Sequence, residues 1–173
     1  MQSVKIVVTG PERSGTTSFI RSVSEIAVLT TERRIPGADP SAREIVVPMD
    51  FGRVTIDDDV VLYLFGTSGA DDRSLVGGPF ADGLIGVVVV VDVAKPASID
   101  RAAQIVAFLR QHGDVPFAVA ANRRKDALAD SQGLAERISA PEGTPIVECN
   151  ATDRSSAKQV VIALLRRILD TMS

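Results

Sequence analysis

The chain has 173 residues, 45% of them apolar and 24% charged, with a formal net charge of −3. That is one domain with room for a real core, and it lacks the basic excess that nucleic acid or an anionic membrane would select. No apolar run approaches the ~18 residues of a membrane span, Met1 to Val8 has no signal-peptide pattern, and the absence of Trp, with one Tyr and one His, argues against an aromatic platform for bases.

In chain order, Ser3 to Val8 is short, apolar and rich in β-branched residues, and reads as a first strand. A glycine-bearing loop follows, then a helix over Thr16 to Ile26 with Phe19, Ile20, Val23 and Ile26 at helical spacing. Residues 27–43 hold Pro36, Gly37 and Pro40 with little periodicity and read as a loop. Ile45 to Ile56 and Val60 to Phe65 read as an antiparallel hairpin around Asp57, Asp58 and Asp59. Residues 66–83 read as loop with a short weak helix, and the valine-rich run from Leu84 to Val91 as a central strand buried on both faces.

Pro96 opens a helix to about Gln111 with Ile99, Ala103, Val106 and Leu109 on one face. Pro116 to Ala121 is a further buried strand, followed by a charged loop and helix to Ser139. Pro145 to Cys149 is the last strand, and Ser155 to Met172 a closing amphipathic helix on Val160, Leu164, Leu165 and Ile168. The alternation predicts a single three-layer α/β domain over 1–173, with a mostly parallel six-stranded sheet and one antiparallel strand from the hairpin. Ligands bind at the carboxyl ends of such strands, so the loops after Val8, Phe65, Ala121 and Cys149 matter most. Cys149 is the only cysteine; it is expected as buried packing, and a lone thiol fits a reducing, cytoplasmic compartment.

Gly10 to Thr17 has the glycine spacing of the phosphate-binding motif G-x-x-x-x-G-K-[ST] between a strand and a helix. Its backbone N–H groups and the helix end would favour an anion, and Thr17 falls where a hydroxyl meets Mg²⁺. The lysine position is Thr16. A charge-assisted hydrogen bond is worth about 1.5–3 kcal/mol, roughly one to two decades in affinity. Arg13 either replaces part of that charge or faces solvent, and Glu12 adds a like charge. Taken alone, the loop reads equally as a strand–helix turn with no ligand. Asp92 ends the central strand within possible reach of a metal, His112 reads as a solvated helix-end residue, and Asp71, Asp72 and Arg73 as a solvated face. Arg123, Arg124 and Lys125 read as a solvated basic face or an anion contact.

Met49-Asp50-Phe51-Gly52-Arg53, then Leu64-Phe65-Gly66-Thr67-Ser68-Gly69, with Ser22 to Ile26 and Gly83 to Asp92, make the chain resemble bacterial Ras-like GTPases of the gliding-polarity (MglA-like) group, above all the GTP-binding proteins of actinomycete conservon operons. The resemblance runs nearly end to end. It implies a P-loop NTPase of Ras-like fold, GTP or GDP with Mg²⁺, and regulation by roadblock-type protein partners. By position it implies phosphate contacts at Gly10, Arg13, Ser14, Gly15, Thr16, Thr17, Ser18 and Gly69, and metal contacts at Thr17 and Ser41. It implies base contacts at Asn122, Arg123, Asp126, Asn150, Ala151 and Thr152. Ser68 stands for a proline and Ala70 for the water-positioning glutamine, so hydrolysis is expected to be slow. Lys125 falls where the base-reading aspartate belongs, with Asp126 one residue late. The sequence therefore supports a weakened guanine-nucleotide switch, at most a slow GTPase, or a pseudo-GTPase serving as a nucleotide-independent interaction module.

Overall fold

The computed structural model describes residues 2–35, 45–67, 83–112, 114–122 and 131–172. The elements are β1 (Gln2–Thr9), α1 (Thr16–Val23), β2 (Leu29–Ile35), β3 (Ile45–Asp57), β4 (Val60–Gly66), β5 (Leu84–Asp92), α2 (Pro96–His112), β6 (Phe117–Asn122), α3 (Ser131–Arg137), β7 (Ile146–Cys149) and α4 (Arg154–Met172). The strands form one sheet in the order β2-β3-β4-β1-β5-β6-β7. The β2–β3 and β3–β4 pairings are antiparallel, and the others are parallel.

The inner parallel strands are buried on both faces because their alternate residues feed two separate cores. Ile6, Val8, Leu62, Leu64, Val88, Val90, Ala118 and Ala120 meet α1 and α4 on one face. Val7, Val87, Val89, Val91, Val119 and Ala121 meet α2 and α3 on the other. The valine run of β5 is thus two interleaved apolar stripes, as its lack of alternation requires. β1 lies between β4 and β5: the chain passes from β1 to the sheet edge at β2, works inward through β3 to β4, and then runs outward from β5 through β7 on the other side of β1. The crevice at the carboxyl end of β1 is therefore the sheet's switch point.

The sheet has seven strands where six are expected. The additional one, β2, lies in the stretch read as a loop and pairs with β3 along the sheet's outer edge, Leu29 opposite Phe51 through Ile35 opposite Ile45. An edge strand is held mainly by ladder hydrogen bonds. Leu29 is 56% exposed, so this strand opens without the apolar alternation that betrays a half-buried one.

α1 also stops earlier than its apolar spacing implies, at Val23. Ser24 is extended (φ −66°, ψ 136°), and its hydroxyl accepts the N–H groups of Ile26 and Arg53. Ile26 is consequently 37% exposed and outside the helix. The inward face of α2 is Ile99, Ala102, Ile105, Val106 and Leu109; Ala103 is half-buried at its margin. The expected weak helix within 66–83 falls mostly outside the described residues.

The hairpin register is fixed at its far end. Glu25 N–H donates to Arg53 C=O, and the Glu25 carboxylate accepts both the N–H (3.0 Å) and the hydroxyl (2.8 Å) of Thr55. These bonds hold the Glu25 carboxyl below its ordinary range. Immediately beyond this clamp the β3–β4 register shifts between Thr55 and Asp57, a bulge that inserts Ile56 as an extra residue.

Two measurements test this packing. Leu164 is fully buried between α4 and the sheet, so Leu164→Ala is expected to lower unfolding free energy by about 2–5 kcal/mol in urea titrations. Burial pushes the Cys149 thiol up to about 11 from 9.0. Because the folded value lies above the unfolded one, its stabilising contribution is complete below pH 9 and disappears as pH rises toward 11. Stability measured across that range is expected to fall more steeply for the native chain than for Cys149→Ala.

Candidate functional site

At the carboxyl end of β1 the chain folds back on itself in a tight loop. A Cβ on Gly10 would lie 2.2 Å from the Val90 carbonyl oxygen and 2.6 Å from Ser14 Oγ, so only glycine passes here. Ser14 N–H donates to Pro11 C=O (3.1 Å). Arg13 adopts φ 63° and Gly15 φ 114°, the left-handed region that turns successive N–H groups inward. Gly15 is the N-cap of α1, no side chain caps it, and the first turn holds no acidic residue. Its N-terminal N–H groups lack intrahelical acceptors and carry the positive end of the helix dipole. Inside the curl, Ser14 is 1% exposed and its Oγ has no hydrogen-bond partner among the described residues. A buried orphan hydroxyl, inward N–H groups and an uncapped helix form a donor set that fits an oxyanion.

The same loop lacks a cation. Thr16, in the lysine position, is 3% exposed. Arg13 and Glu12 are exposed, and none of the lysines and arginines whose side chains are described is buried. Ser18 follows half-buried in the first turn of α1.

The most informative contact involves a residue that sequence reasoning did not select. Thr17 Oγ1 donates to Asp50 Oδ2 at 2.6 Å, and Thr30 Oγ1 donates to Asp50 Oδ1 at 2.8 Å. Asp50, on β3, is only 9% exposed. It lies directly opposite Gly66, the last residue of β4. A Cβ at Gly66 would come within 3.2 Å of the Asp50 Cβ and 2.2 Å of Ile20 Cδ1. The bare end of β4 therefore makes room for a carboxylate delivered by the neighbouring strand. A hydroxyl paired with a carboxylate is a hard oxygen set suited to Mg²⁺, which takes one or two protein ligands and completes its shell with water and phosphate. Three or more clustered His, Cys, Asp or Glu side chains do not occur among the described residues.

Asn122, at the end of β6, is 3% exposed and braces the loop from the side. Its Nδ2 donates to Ser14 C=O (2.8 Å) and its Oδ1 accepts Ala151 N–H (3.0 Å). Gly15 is bare where this amide passes: a Cβ there would lie 2.4 Å from Asn122 Nδ2. The Ala151 carbonyl accepts the Ser22 hydroxyl, tying α1 to the same turn. Asn150 Oδ1 accepts from the N–H (3.1 Å) and hydroxyl (2.6 Å) of Thr152, and Asn150 N–H donates to Ser156 Oγ. Asn150 and Thr152 are exposed and Ala151 is buried. The structure thus gathers Gly10, Ser14, Gly15, Asn122 and Ala151 into one bonded frame.

Other expected residues are not part of that frame or lie outside the described residues. Asp92, 1% exposed, accepts Ala94 N–H on Oδ1 and lies 3.9 Å from Lys95 Nζ, closing its own turn. His112 ends α2, exposed, stacked on Phe108 with ring centroids 4.1 Å apart. Thr67 is buried and donates its hydroxyl to Thr9 Oγ1 at 3.3 Å. Ser41, Ser68, Gly69, Ala70, Asp71, Asp72, Arg73, Arg123, Arg124, Lys125 and Asp126 lie outside the described residues.

No family model matches the chain, and no curated protein matches it either.

The brace gives a direct test. Asn122→Ala removes two buried hydrogen bonds and strands the Ala151 N–H, so a loss of about 2–4 kcal/mol is expected in denaturant unfolding. Amide exchange is expected to rise at Gly15 and Ala151 before it rises in β5.

Proposed function

We propose that this chain is a Ras-like P-loop domain of the MglA-like kind that binds a guanine nucleotide with Mg²⁺ weakly and acts as a regulatory switch. The observation carrying this reading is the Thr17–Asp50 pair beneath the Gly10–Gly15 loop. In P-loop proteins the metal is held by the serine or threonine at the start of the helix together with an acid at a strand end. Here Thr17 would be that hydroxyl, and Asp50 the acid, delivered from β3 in place of β4. Mg²⁺ held by Thr17 and Asp50 would supply positive charge that offsets part of the phosphates' negative charge. The loop N–H groups and the Ser14 hydroxyl would donate to the phosphates, while Asn122 would hold the loop in shape rather than read the base. The choice of guanine rests on the family resemblance, as do a cytoplasmic location and roadblock-type partners. Hydrolysis is slow or absent, because Ala70 stands for the residue that would position water.

A second reading is a pseudo-GTPase that serves as an interaction module without nucleotide. It is favoured by the charge deficit: Thr16 is buried where the phosphate-binding lysine would stand, and Arg13 is exposed.

Titration with fluorescent GDP and GTP analogues, with and without Mg²⁺ and with ATP as competitor, separates the two. The switch reading expects saturable, guanine-selective binding strengthened by Mg²⁺. Asp50→Asn is expected to abolish the Mg²⁺ increment, about one to two decades in affinity, and Thr16→Lys to tighten binding by a similar factor. Absence of binding up to about millimolar, no better than about −4 kcal/mol, would favour the interaction module.

A further inference from the structure

A second concave site lies at the opposite pole of the sheet. The amino end of β6, the turn before β7 and the carboxyl ends of α2 and α4 line an open cavity of about 310 Å³. Leu109, Pro116 and Phe117 supply apolar wall, and Arg110, Arg167 and Asp114 supply charge. That volume is at the lower end of the range that small-molecule sites occupy, and apolar walls with a few converging polar groups are their usual chemistry.

Arginines near helix carboxyl ends often do no more than offset the helix dipole. Both of these are directed elsewhere. Arg110 Nη1 donates across to the Ser139 carbonyl at 2.9 Å. Ser139 sits at φ 55° in the turn that closes α3, where Ser139 N–H reaches Glu136 C=O and Ala140 N–H reaches Ala135 C=O. That left-handed turn aims the carbonyl at Arg110 and holds its guanidinium beside the cavity. Arg167 rests on the 141–144 turn: a Cβ on Gly143, itself at φ 83°, would lie 2.8 Å from Arg167 Nη1. Among the described residues neither guanidinium forms an ion pair with a carboxylate, Asp114 included. Two guanidinium groups without a carboxylate partner among the described residues thus line one cavity of mixed polar and apolar character.

We infer that this cavity binds a small organic carboxylate, its anionic head between Arg110 and Arg167 and its apolar body against Phe117 and Leu109. The inference does not depend on the nucleotide reading, because it uses no residue of the Gly10–Gly15 loop. Asp114 subtracts from the local positive charge, so the apolar body is needed alongside the anion, and an inorganic anion alone is disfavoured. Guanidinium groups recognise a carboxylate through paired, charge-assisted hydrogen bonds that a neutral amide cannot reproduce.

The test is an amide NMR titration of the full chain with benzoate, with its neutral isostere benzamide, and with inorganic phosphate. Benzoate is expected to shift the amides of Val115, Phe117 and Thr144 saturably in the millimolar range, with benzamide and phosphate at least tenfold weaker. Arg110→Gln and Arg167→Gln are each expected to weaken benzoate at least threefold. Equal binding of benzamide, equal binding of phosphate, shifts located elsewhere, or no saturation with benzoate would overturn the inference. The probe comparisons use the unaltered chain, so they stand even if a variant folds poorly. Addition of GDP and Mg²⁺ to the benzoate-saturated chain reports separately on the glycine loop.

Discussion

One carboxylate organises the functional end of this molecule. Asp50 accepts a hydroxyl from the start of α1 through Thr17 and another from the edge strand through Thr30. Three segments far apart in sequence converge on a group that is nearly removed from water. A buried carboxylate without partners is strongly unfavourable, so its placement demands both hydroxyls at once. The geometry of the loop's neighbour, the position of β2 and the bare end of β4 at Gly66 are all conditions of that one arrangement.

The second constraint is the amide of Asn122. A parallel sheet buried on both faces sets the strand ends rigidly, but the loops beyond them need their own bonds. Asn122 links Ser14 in the first loop to Ala151 in the last, and Ser22 closes the circuit from α1. The frame is therefore intact even though the loop it supports lacks the cation expected within it. Backbone N–H groups and a helix end offer partial charges that survive the loss of a side chain, whereas the full charge of a lysine is missing at the buried Thr16. A preserved frame with weakened electrostatics is the physical content of the proposed switch, and it also explains why a nucleotide-independent role is its natural competitor.

The layered fold was legible because its signals are local and redundant. The valine run of β5, the hairpin turn at Asp57 to Asp59 and the spacing of apolar residues in α2 and α4 each mark an element without reference to the others. β2 was not legible, since an edge strand draws its stability from a partner's backbone and not from its own pattern. The end of α1 was misjudged because Ser24 uses its hydroxyl to stop a helix that the apolar spacing would continue through Ile26. In the candidate site, the glycine spacing pointed to the Gly10–Gly15 loop and the family resemblance pointed to Asn122, but nothing near Asp50 in the sequence announced its contacts.

The sequence by itself determined the alternation of strands and helices, the glycine loop at the end of β1, and the absence of a lysine from that loop. These depend on residue type and on spacings within one element. Only the tertiary structure decided where the acid sits. Counting back from Asp57 opposite Val60 without a break would set Asp50 opposite Thr67, whose side lies away from α1. The bulge at Ile56, next to the Glu25–Thr55 clamp, moves the register by one and sets Asp50 opposite Gly66, on the face of Leu62, Leu64 and α1. Side chains alternate faces with a period of two, so a single inserted residue reverses which face of the sheet a carboxylate occupies. That reversal lies beside a contact that spans thirty residues of sequence, between Glu25 and Thr55, and no local pattern encodes it.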